Sequence, residues 1–405
     1  MKQIKLALFL LLLIFLVASC GILNQGTPTA KKQWTFMLYL DGDEVSMQQD
    51  FNAALTEMIS NEVGSSDDVN VVIQYDRYFL TAEAFGGWRI AHRFYYTPGL
   101  GPTAEAAIAD WGDGLGGGRE VDTSDPDTLA AFISWATTNY PADHYALLLG
   151  DHGYGWQGLI IDMTSDGNFM TLIGMVRALS NSGVQLDLLA LDACTMQMNE
   201  VMHELRNLPI EIVVGSENLG TTWPLSDIIQ TLTNNPAITA EALGTAICDL
   251  YFNAHASDDQ ITLSTIRLAE INNVSNAVQD LAETMLASAP FTSVQAKAAI
   301  VMDRIEAAMV YVKNGASWES AAGLSIYFPA NEGGMIPDMF NYNYINEITS
   351  FAKDTSWRNF LYVYFDMYGY QGVIPGEVYH ARIGMPLFDG DKIDLYDFCK
   401  RIVEY

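Results

Sequence analysis

The sequence has 405 residues, of which 50% are hydrophobic, and this suits one large or two ordinary domains with a substantial core. Lysine and arginine number 20 against 49 aspartate and glutamate residues, so the formal net charge is −29. Such an excess of negative charge argues against nucleic acid and anionic membrane surfaces as partners. It fits a solubilising acidic surface, and it also fits a protein that attracts basic substrates.

The first twenty residues have the pattern of a bacterial export signal. Two lysines precede the apolar run Leu6–Ala18, which is too short to span a bilayer as a helix. The run leads into Val17-Ala18-Ser19-Cys20, which resembles the lipobox of bacterial lipoproteins. We therefore predict a signal peptide over residues 1–19, lipidation of Cys20 and a tether over residues 20–33. The protein would then be lipid-anchored in the bacterial cell envelope and face outward. An ordinary secretory signal with cleavage nearby is the alternative.

Short apolar runs and amphipathic segments alternate along the next part of the chain. The runs predict strands at Trp34–Leu40, Val69–Tyr75, Arg89–Tyr96, His144–Leu149, Leu186–Leu191 and Ile210–Val214. The amphipathic segments predict helices after the caps Ser46, Ser124-Asp125-Pro126 and Thr239, and over Leu172–Ser180 and about Thr195–Asn207. This order predicts an α/β fold, with a mostly parallel sheet covered by helices on both faces.

The pattern changes after about residue 257. Gln260–Ile266 and Gly323–Pro329 predict strands, whereas Glu270–Ala287 and Ser293–Lys313 predict two long helices. We therefore predict one domain over residues 34–256 and a mixed α+β C-terminal region over residues 257–405 packed on the sheet. A separate ligand domain is the alternative for the second region.

Two of the predicted strands end abruptly in reactive residues. HYALLLG is followed by Asp151-His152-Gly153, and LDLLAL is followed by Asp192-Ala193-Cys194. Sites in open α/β sheets lie beyond the carboxyl ends of strands, so an imidazole and a thiol are expected at one rim. These groups suffice for acyl transfer by a cysteine nucleophile. We predict Cys194 as nucleophile, with its thiolate favoured by the start of the next helix, and His152 as its base. A structural cysteine and a structural turn histidine are the alternatives.

The backbone and the other polar residues complete this prediction. The amides of Gly153 and Cys194 are candidates for an oxyanion hole. Asp41, Asp43 and Glu44 after the first strand, and the turn over residues 162–168, are predicted to be solvated turns, because the acidic spacing of an EF-hand is absent. No metal site is predicted, and the four cysteines have spacings that fit no zinc site. Cys248 and Cys399 are predicted to be structural.

Several stretches taken together resemble a known family. They are WTFMLYLDGD, VNVVIQYDR, DPDTLAAFISWA, YPADHYALLLGDHGYGW, LDLLALDACTMQMNEVMHEL and VVGSENLG, which run in order over about Trp34–Trp223. They resemble the clostripain-like cysteine peptidases, relatives of caspases, gingipains and legumains. The resemblance implies a caspase-like fold, a dyad of Cys194 and His152, and a carboxylate, Asp192, that selects Arg or Lys at the P1 position. Calcium is a trait of the family's namesake and is implied here by resemblance alone.

The residues and the resemblance together predict an exported cysteine endopeptidase that cleaves proteins or peptides after Arg more than Lys. Ser216, Glu217 and Trp223 are assigned to substrate binding beside Asp192. The segment 157–193 contains only one basic residue, Arg177, inside a predicted helix, so activity as a single chain is expected. The segment 220–223 carries no acid where several relatives have one, so tolerant specificity is expected. A surface-binding lipoprotein without turnover and a non-peptidase acyl hydrolase or transferase are the alternatives.

Overall fold

The computed structural model describes residues 30–78, 85, 87–103, 107–108, 118–329, 349–364 and 392–404. The predicted signal peptide, Cys20 and most of the tether lie outside these residues. Within the described ranges, no helix combines the length and the apolar character needed to cross a membrane.

The described strands number thirteen. In chain order they are β1 (Lys32–Gly42), β2 (Val69–Arg77), β3 (Ala91–Tyr95), β4 (Gly118–Arg119), β5 (Ala142–Gly150), β6 (Gly158–Asp162), β7 (Asn168–Thr171), β8 (Leu186–Asp192), β9 (Ile210–Gly215), β10 (Thr262–Arg267), β11 (Met309–Asn314), β12 (Ser325–Tyr327) and β13 (Lys392–Asp394). Nine of them form one sheet in the order β11-β10-β9-β8-β5-β1-β2-β3-β4. The strands β6 and β7 form a hairpin, and β12 pairs with β13.

The described α-helices connect and cover these strands. They are α1 (Val45–Ser60), α2 (Pro126–Asn139), α3 (Leu172–Ser182), α4 (Asn199–Leu205), α5 (Leu225–Asn234), α6 (Ala240–Ala254), α7 (Ile271–Leu286), α8 (Phe291–Ala308), α9 (Ser350–Asp354), α10 (Trp357–Tyr364) and α11 (Leu395–Glu404). Most of these helices follow the strands of the sheet one at a time, as expected for an α/β fold.

The centre of the sheet is parallel and its two sides are antiparallel. Strands β9, β8, β5, β1 and β2 are parallel neighbours. Strands β3 and β4 on one side, and β10 and β11 on the other, are antiparallel. The central strands are buried on both faces, which explains why they read as near-continuous apolar runs. The predicted α/β fold with a mostly parallel sheet is confirmed.

Alternate residues of the central strands enter two separate cores. Leu147 and Leu149 of β5 pack on the face covered by α2, α3, α4, α7 and α8. Ala146 and Leu148 pack on the other face with α1, α5 and α6. Because side chains alternate along a strand, one apolar run supplies both cores, and each fully buried leucine contributes about 1.5–3 kcal/mol. Helices therefore cover both faces, as predicted.

The C-terminal part differs from its prediction at one helix. The helix predicted over Ser293–Lys313 ends at Ala308, and Met309–Asn314 is the edge strand β11. Its Tyr311 and Asn314 stand opposite Thr265 and Thr262 of β10. Pairing with β10 and the β-branched and aromatic residues of this segment outweigh the helical periodicity. The predicted boundary before residue 257 falls ahead of β10, inside one continuous sheet, and the division into domains stays a prediction.

The strand predicted over Gly323–Pro329 is shorter than expected and is not part of the large sheet. Only Ser325–Tyr327 forms a strand, and it pairs with Lys392–Asp394 in a separate two-stranded sheet. An isolated parallel bridge joins Ser325 to Met198, just before α4. This small sheet therefore lies beside the segment that follows Cys194.

Candidate active site

The register of two central strands places His152 and Cys194 at one rim. In the parallel pair β5 and β8, Gly150 stands opposite Asp192. His152 and Cys194 each follow these paired residues by two positions. The Asp151 amide donates to the Asp192 carbonyl oxygen at 3.2 Å. This hydrogen bond holds together the two segments that leave β5 and β8, which we call the two chain exits. His152 and Cys194 both line a cavity of about 270 Å³.

Gly153 is required by the close approach of the two chain exits. A Cβ atom at this position would lie 2.2 Å from the Cys194 carbonyl oxygen and 2.9 Å from its backbone nitrogen. Any side chain here would push the two segments apart. Among the described residues, neither the Gly153 amide nor the Cys194 amide donates a hydrogen bond. Both amides remain available to an oxyanion.

Cys194 lies in a turn and not at the start of a helix. Helix α4 begins at Asn199, and its predicted start at Thr195 is wrong. Thr195 has a φ of +62°, and Met198 forms an isolated bridge with Ser325, so the chain between Cys194 and α4 is not helical. The predicted support of the thiolate by a helix N-terminus is therefore also wrong, since this effect fades within one turn.

The surroundings of the Cys194 thiol favour its neutral form. Burial raises the pKa of Cys194, and the nearby Asp192 raises it further. The Gly220 amide, 3.4 Å from Sγ, and the charge of Lys392 act in the opposite direction without reversing the shift. Cys194 therefore rests as a thiol and needs a base to become a nucleophile. Cys248 and Cys399, by contrast, are fully buried, as predicted for structural cysteines.

His152 is exposed enough to exchange protons and has a carboxylate beside it. Its side chain is 42% exposed, and its Nε2 lies 4.0 Å from Oε1 of Glu44. Glu44 is the N-cap of α1 and accepts the Met47 amide at 2.8 Å, so the predicted cap Ser46 is wrong. Burial opposes the charge of Glu44, but hydrogen bonds from Ser46 and Met47 and the nearby His152 lower its pKa overall. Glu44 is thus part of the site and not of a solvated turn.

Asp192 faces the cavity and also supports the backbone. It is buried, and its Oδ2 accepts the Trp223 amide at 3.3 Å. Its other oxygen, Oδ1, accepts no hydrogen bond from the described residues. Burial raises the pKa of Asp192 to about 8, the Trp223 amide lowers it, and the charge of Asp50 raises it. One oxygen thus orients the 220–223 segment while the other is free for a ligand.

Of the other three residues assigned to substrate binding, two line the cavity and one does not. Ser216 and Trp223 line the cavity. Glu217 does not, and its assignment is wrong. It is buried, and its Oε2 accepts the Gly323 amide at 2.9 Å. Burial, together with Asp394, raises the pKa of Glu217. Ser216 and Glu217 lie just beyond the end of β9, and there the Ser216 side chain faces the cavity while that of Glu217 turns towards Gly323.

One wall of the cavity consists of residues that the sequence prediction missed. Ser46, Met47 and Asp50 line it from the first turns of α1. A signal for this wall was present, because Leu40 of β1 stands opposite Gly150 in the parallel sheet. The chain leaving β1 therefore reaches the same rim as His152 and Cys194.

Three carboxylates of the two acidic turns, Asp41, Asp43 and Asp162, are buried, so the prediction of solvated turns is wrong for them. Residues 163–164 and 166–168 of the second turn are exposed, as predicted. The hydroxyl of Thr123 donates to Asp41 Oδ2 at 2.6 Å and lies 3.1 Å from Asp162 Oδ2. Asp43 accepts the Thr164 amide, and burial raises the pKa of Asp43 to about 7. Across the described ranges, no group of three His, Cys, Asp or Glu side chains could hold a metal ion.

The fold and the paired thiol and imidazole define a caspase-like α/β protein with a cysteine-dependent site. The model of the clostripain family, peptidase family C11, matches residues 38–320. The chain therefore belongs to the clostripain family of cysteine peptidases, and the prediction of this family is confirmed.

Individual relatives are distant in sequence. Clostripain of Hathewaya histolytica is 29% identical over 101 residues, which are 22% of this chain and 19% of clostripain. The match thus spans about a fifth of that relative. A secreted C11 cysteine protease from Bacteroides thetaiotaomicron, solved with an irreversible peptide inhibitor, has a TM-score of 0.61 at 18% identity, over 80% of this chain and 99% of that one.

A second solved structure has the same fold. The inactive zymogen of a C11 protease from Parabacteroides distasonis has a TM-score of 0.55 at 18% identity, and covers 83% of this chain and 99% of its own. These similarities confirm the caspase-like fold.

Proposed function

We propose that the protein is a cysteine endopeptidase in which Cys194 is the nucleophile and His152 the general acid and base. The observation that carries this proposal is the strand register, which sets both residues two positions beyond the pair Gly150 and Asp192, on one cavity. The burial that keeps Cys194 protonated assigns the first step to His152.

The reaction follows from these positions. His152 takes the thiol proton as the sulfur of Cys194 attacks the scissile carbonyl, and the amides of Gly153 and Cys194 bind the oxyanion that forms. When the carbon–nitrogen bond breaks, His152 returns the proton to the leaving amine, and a thioester to Cys194 remains. Water, deprotonated by His152, then hydrolyses the thioester and restores the thiol.

The substrates of this reaction would be proteins or peptides with a basic P1 residue. The cavity of about 270 Å³ beside Cys194 is smaller than typical small-molecule sites, and it suits a single side chain. Asp192 offers an oxygen to that side chain from within the cavity wall. We expect Arg to be preferred over Lys, because a guanidinium binds carboxylates through several fixed donors.

The protein would act outside the cytoplasm, anchored by a lipid on Cys20. The export signal and lipobox-like sequence support this location, and two of the solved relatives are described as secreted proteases. Several acyl chains anchor a protein stably, whereas a single chain does so only marginally. Mass spectrometry of the membrane fraction should find the lipid on Cys20. An unmodified mature N-terminus elsewhere would refute the anchor.

The enzyme would be active as a single chain. Arg177, the only basic residue between Trp156 and Cys194, lies inside α3, where its backbone is hydrogen-bonded. Its side chain lies 3.8 Å from a carboxylate oxygen of Asp127. A helical backbone does not fit an extended substrate cleft. Two stoichiometric fragments with a junction in this segment, found in active enzyme, would overturn this expectation.

An active-site probe tests the proposed activity. An acyloxymethyl ketone with Arg at P1 should label Cys194 in the wild type and should label nothing in Cys194→Ala. A peptide library should then show cleavage after basic residues. Labelling without cleavage of any peptide would indicate other acyl chemistry with the same dyad.

A binding protein without turnover is the second candidate. It is favoured by the raised pKa of Cys194, since a site adapted to nucleophilic attack more often lowers the pKa of its thiol. Wild-type protein that binds basic peptides but is not labelled by the probe would establish this function and exclude the peptidase.

A further inference from the structure

Two carboxyl groups line the cavity from different elements of the fold. Asp192 closes the inner wall at the end of β8, and Asp50 lines the outer wall from α1. The charge of Asp50 is felt by Asp192, whose pKa it raises. Asp151 also lines the cavity, but its Oδ2 accepts the Ile161 amide at 2.7 Å. Among the described residues, no lysine or arginine lines the cavity, so no basic side chain there competes with a bound cation for these carboxyl groups.

The two carboxylates differ in hydration. Asp192 is buried and holds its proton up to a pH of about 8, as its pKa indicates. A protonated carboxyl discriminates weakly between a cationic and a neutral side chain. Asp50 is exposed, and water stabilises its negative charge. The wall formed by α1 therefore supplies the hydrated carboxylate that the inner wall lacks.

We propose that Asp50 is a specificity-determining residue that binds the P1 guanidinium of the substrate together with Asp192, an inference that rests on the proposed peptidase function. One face of the guanidinium fork reaches Asp192 Oδ1, and the donors on the opposite side reach Asp50. A guanidinium has five donors in a fixed plane, whereas an ammonium is a single point charge. Two carboxylates supplied by different elements of the cavity therefore favour Arg over Lys.

The segment 220–223, which also borders the cavity, supplies no carboxylate, so Asp50 supplies one from α1. The segment 220–223 borders the cavity with Gly220, Thr221, Thr222 and Trp223 and contains no carboxylate. The Trp223 amide is occupied by Asp192. The cationic side chain must then be neutralised from the α1 side, where Asp50 is the lining carboxylate.

The test compares two peptides that differ only at P1, one with Arg and one with its neutral isostere citrulline. Asp50→Asn should lower the Arg-to-citrulline ratio of kcat/KM about 10-fold, mainly through a higher KM for the Arg peptide, and Asp50→Glu should restore part of it. Because Asp50 is exposed, added salt should lower the wild-type ratio and change the Asn variant less.

Glu57→Gln is the matched control. Glu57 is exposed on the same helix, about 10 Å further along its axis, and does not line the cavity. Its substitution removes the same charge and should leave the ratio unchanged. Equal unfolding midpoints should show that both variants fold.

The outcomes separate this inference from the proposed function. A wild type that cleaves the Arg peptide with a ratio that Asp50→Asn does not change, or that Glu57→Gln changes equally, would overturn the role of Asp50 and leave the peptidase intact. A wild type that cleaves both peptides equally would do the same. A wild type that cleaves neither peptide, and whose Cys194 reacts with no probe, would overturn both.

Discussion

The two walls of the cavity are built in different ways. The inner wall follows β8 and β9. Its residue Asp192 is buried and fixed by strand register, and Trp223 is buried and donates its amide to Asp192. The outer wall is formed by the first two turns of α1, whose lining residues Ser46 and Asp50 are exposed. The inner wall thus holds its side chains in fixed positions, but burial favours the neutral, protonated form of its carboxyl group. The outer wall contacts water, which stabilises a negative charge. Catalysis should depend on the first wall and charge selection on the second.

The largest effect is expected at the dyad. Cys194→Ala and His152→Ala should each lower kcat/KM by at least about 10³-fold, because the covalent route is lost. His144→Ala is the control, since His144 is an exposed histidine at the far end of the same strand. Near-normal turnover by a purified, folded dyad variant would refute the assignment.

Asp192→Asn should separate the two functions of the inner wall. An Asn can still accept the Trp223 amide but cannot ionise. Above a pH of about 8, where Asp192 is ionised, we expect the rate on Arg substrates to fall by about 10- to 1000-fold, and that on neutral substrates to fall far less. Equal losses on both would show that Asp192 only supports the backbone.

The stability of Asp192→Asn at different pH values tests whether the charge of Asp192 is buried. Because burial raises the pKa of Asp192 to about 8, folding favours its protonated form. The contribution of the protonated Asp192 to the free energy of unfolding is therefore complete below a pH of about 4. It is lost as the pH rises to about 8. The wild type should lose unfolding free energy relative to Asp192→Asn over this range. Denaturant unfolding at several pH values measures the difference, and a constant difference would contradict the burial of this charge.

Gly153→Ala tests the closeness of the two chain exits. The added methyl group would meet the Cys194 carbonyl oxygen, so the Cys194 turn must move. A displacement of about 1 Å at a reacting group can lower the rate about 100-fold. We expect this loss in kcat, with KM nearly unchanged and the protein folded. Unchanged kcat would mean that the amides of this turn do not bind the oxyanion.

The smallest effect is expected at Glu44. Glu44→Gln retains an oxygen for the Met47 amide but removes the negative charge 4.0 Å from His152. An exposed pair contributes about 0.2–1 kcal/mol, so kcat should fall by about 2- to 5-fold. Glu57→Gln again serves as the control. A loss as large as that of His152→Ala would place Glu44 in the catalytic machinery itself.

The sequence predicted the inner wall well because its residues adjoin buried strands. Two apolar runs identified β5 and β8, and the polar residues directly after them could only lie at the rim of a parallel sheet. His152, Asp192 and Cys194 follow this logic, and Ser216 follows β9 in the same way. Glu217 does not, since the direction of a side chain just beyond a strand depends on the local twist of the exit.

The outer wall was predictable only in part: the position of β1 brings the following chain to the same rim, but it does not show which residues line the cavity. Glu44 and Asp50 look like ordinary acidic residues at the start of an exposed helix, and nothing in their spacing reveals a cavity. The burial of Asp41, Asp43 and Asp162 was missed for the same reason: their partners Thr123 and Thr164 lie far away in the sequence. Likewise, Met309–Asn314 became a strand because β10 offered a free edge.

The sequence by itself determined the strands, the two core faces and the order of the reactive residues, because strand and helix periodicities are local properties of the chain. Tertiary structure decided which charges remain hydrated, which carboxylates share a cavity and how the Cys194 turn departs from a helix. These depend on contacts between segments distant in sequence, and burial by those contacts sets the protonation of each group.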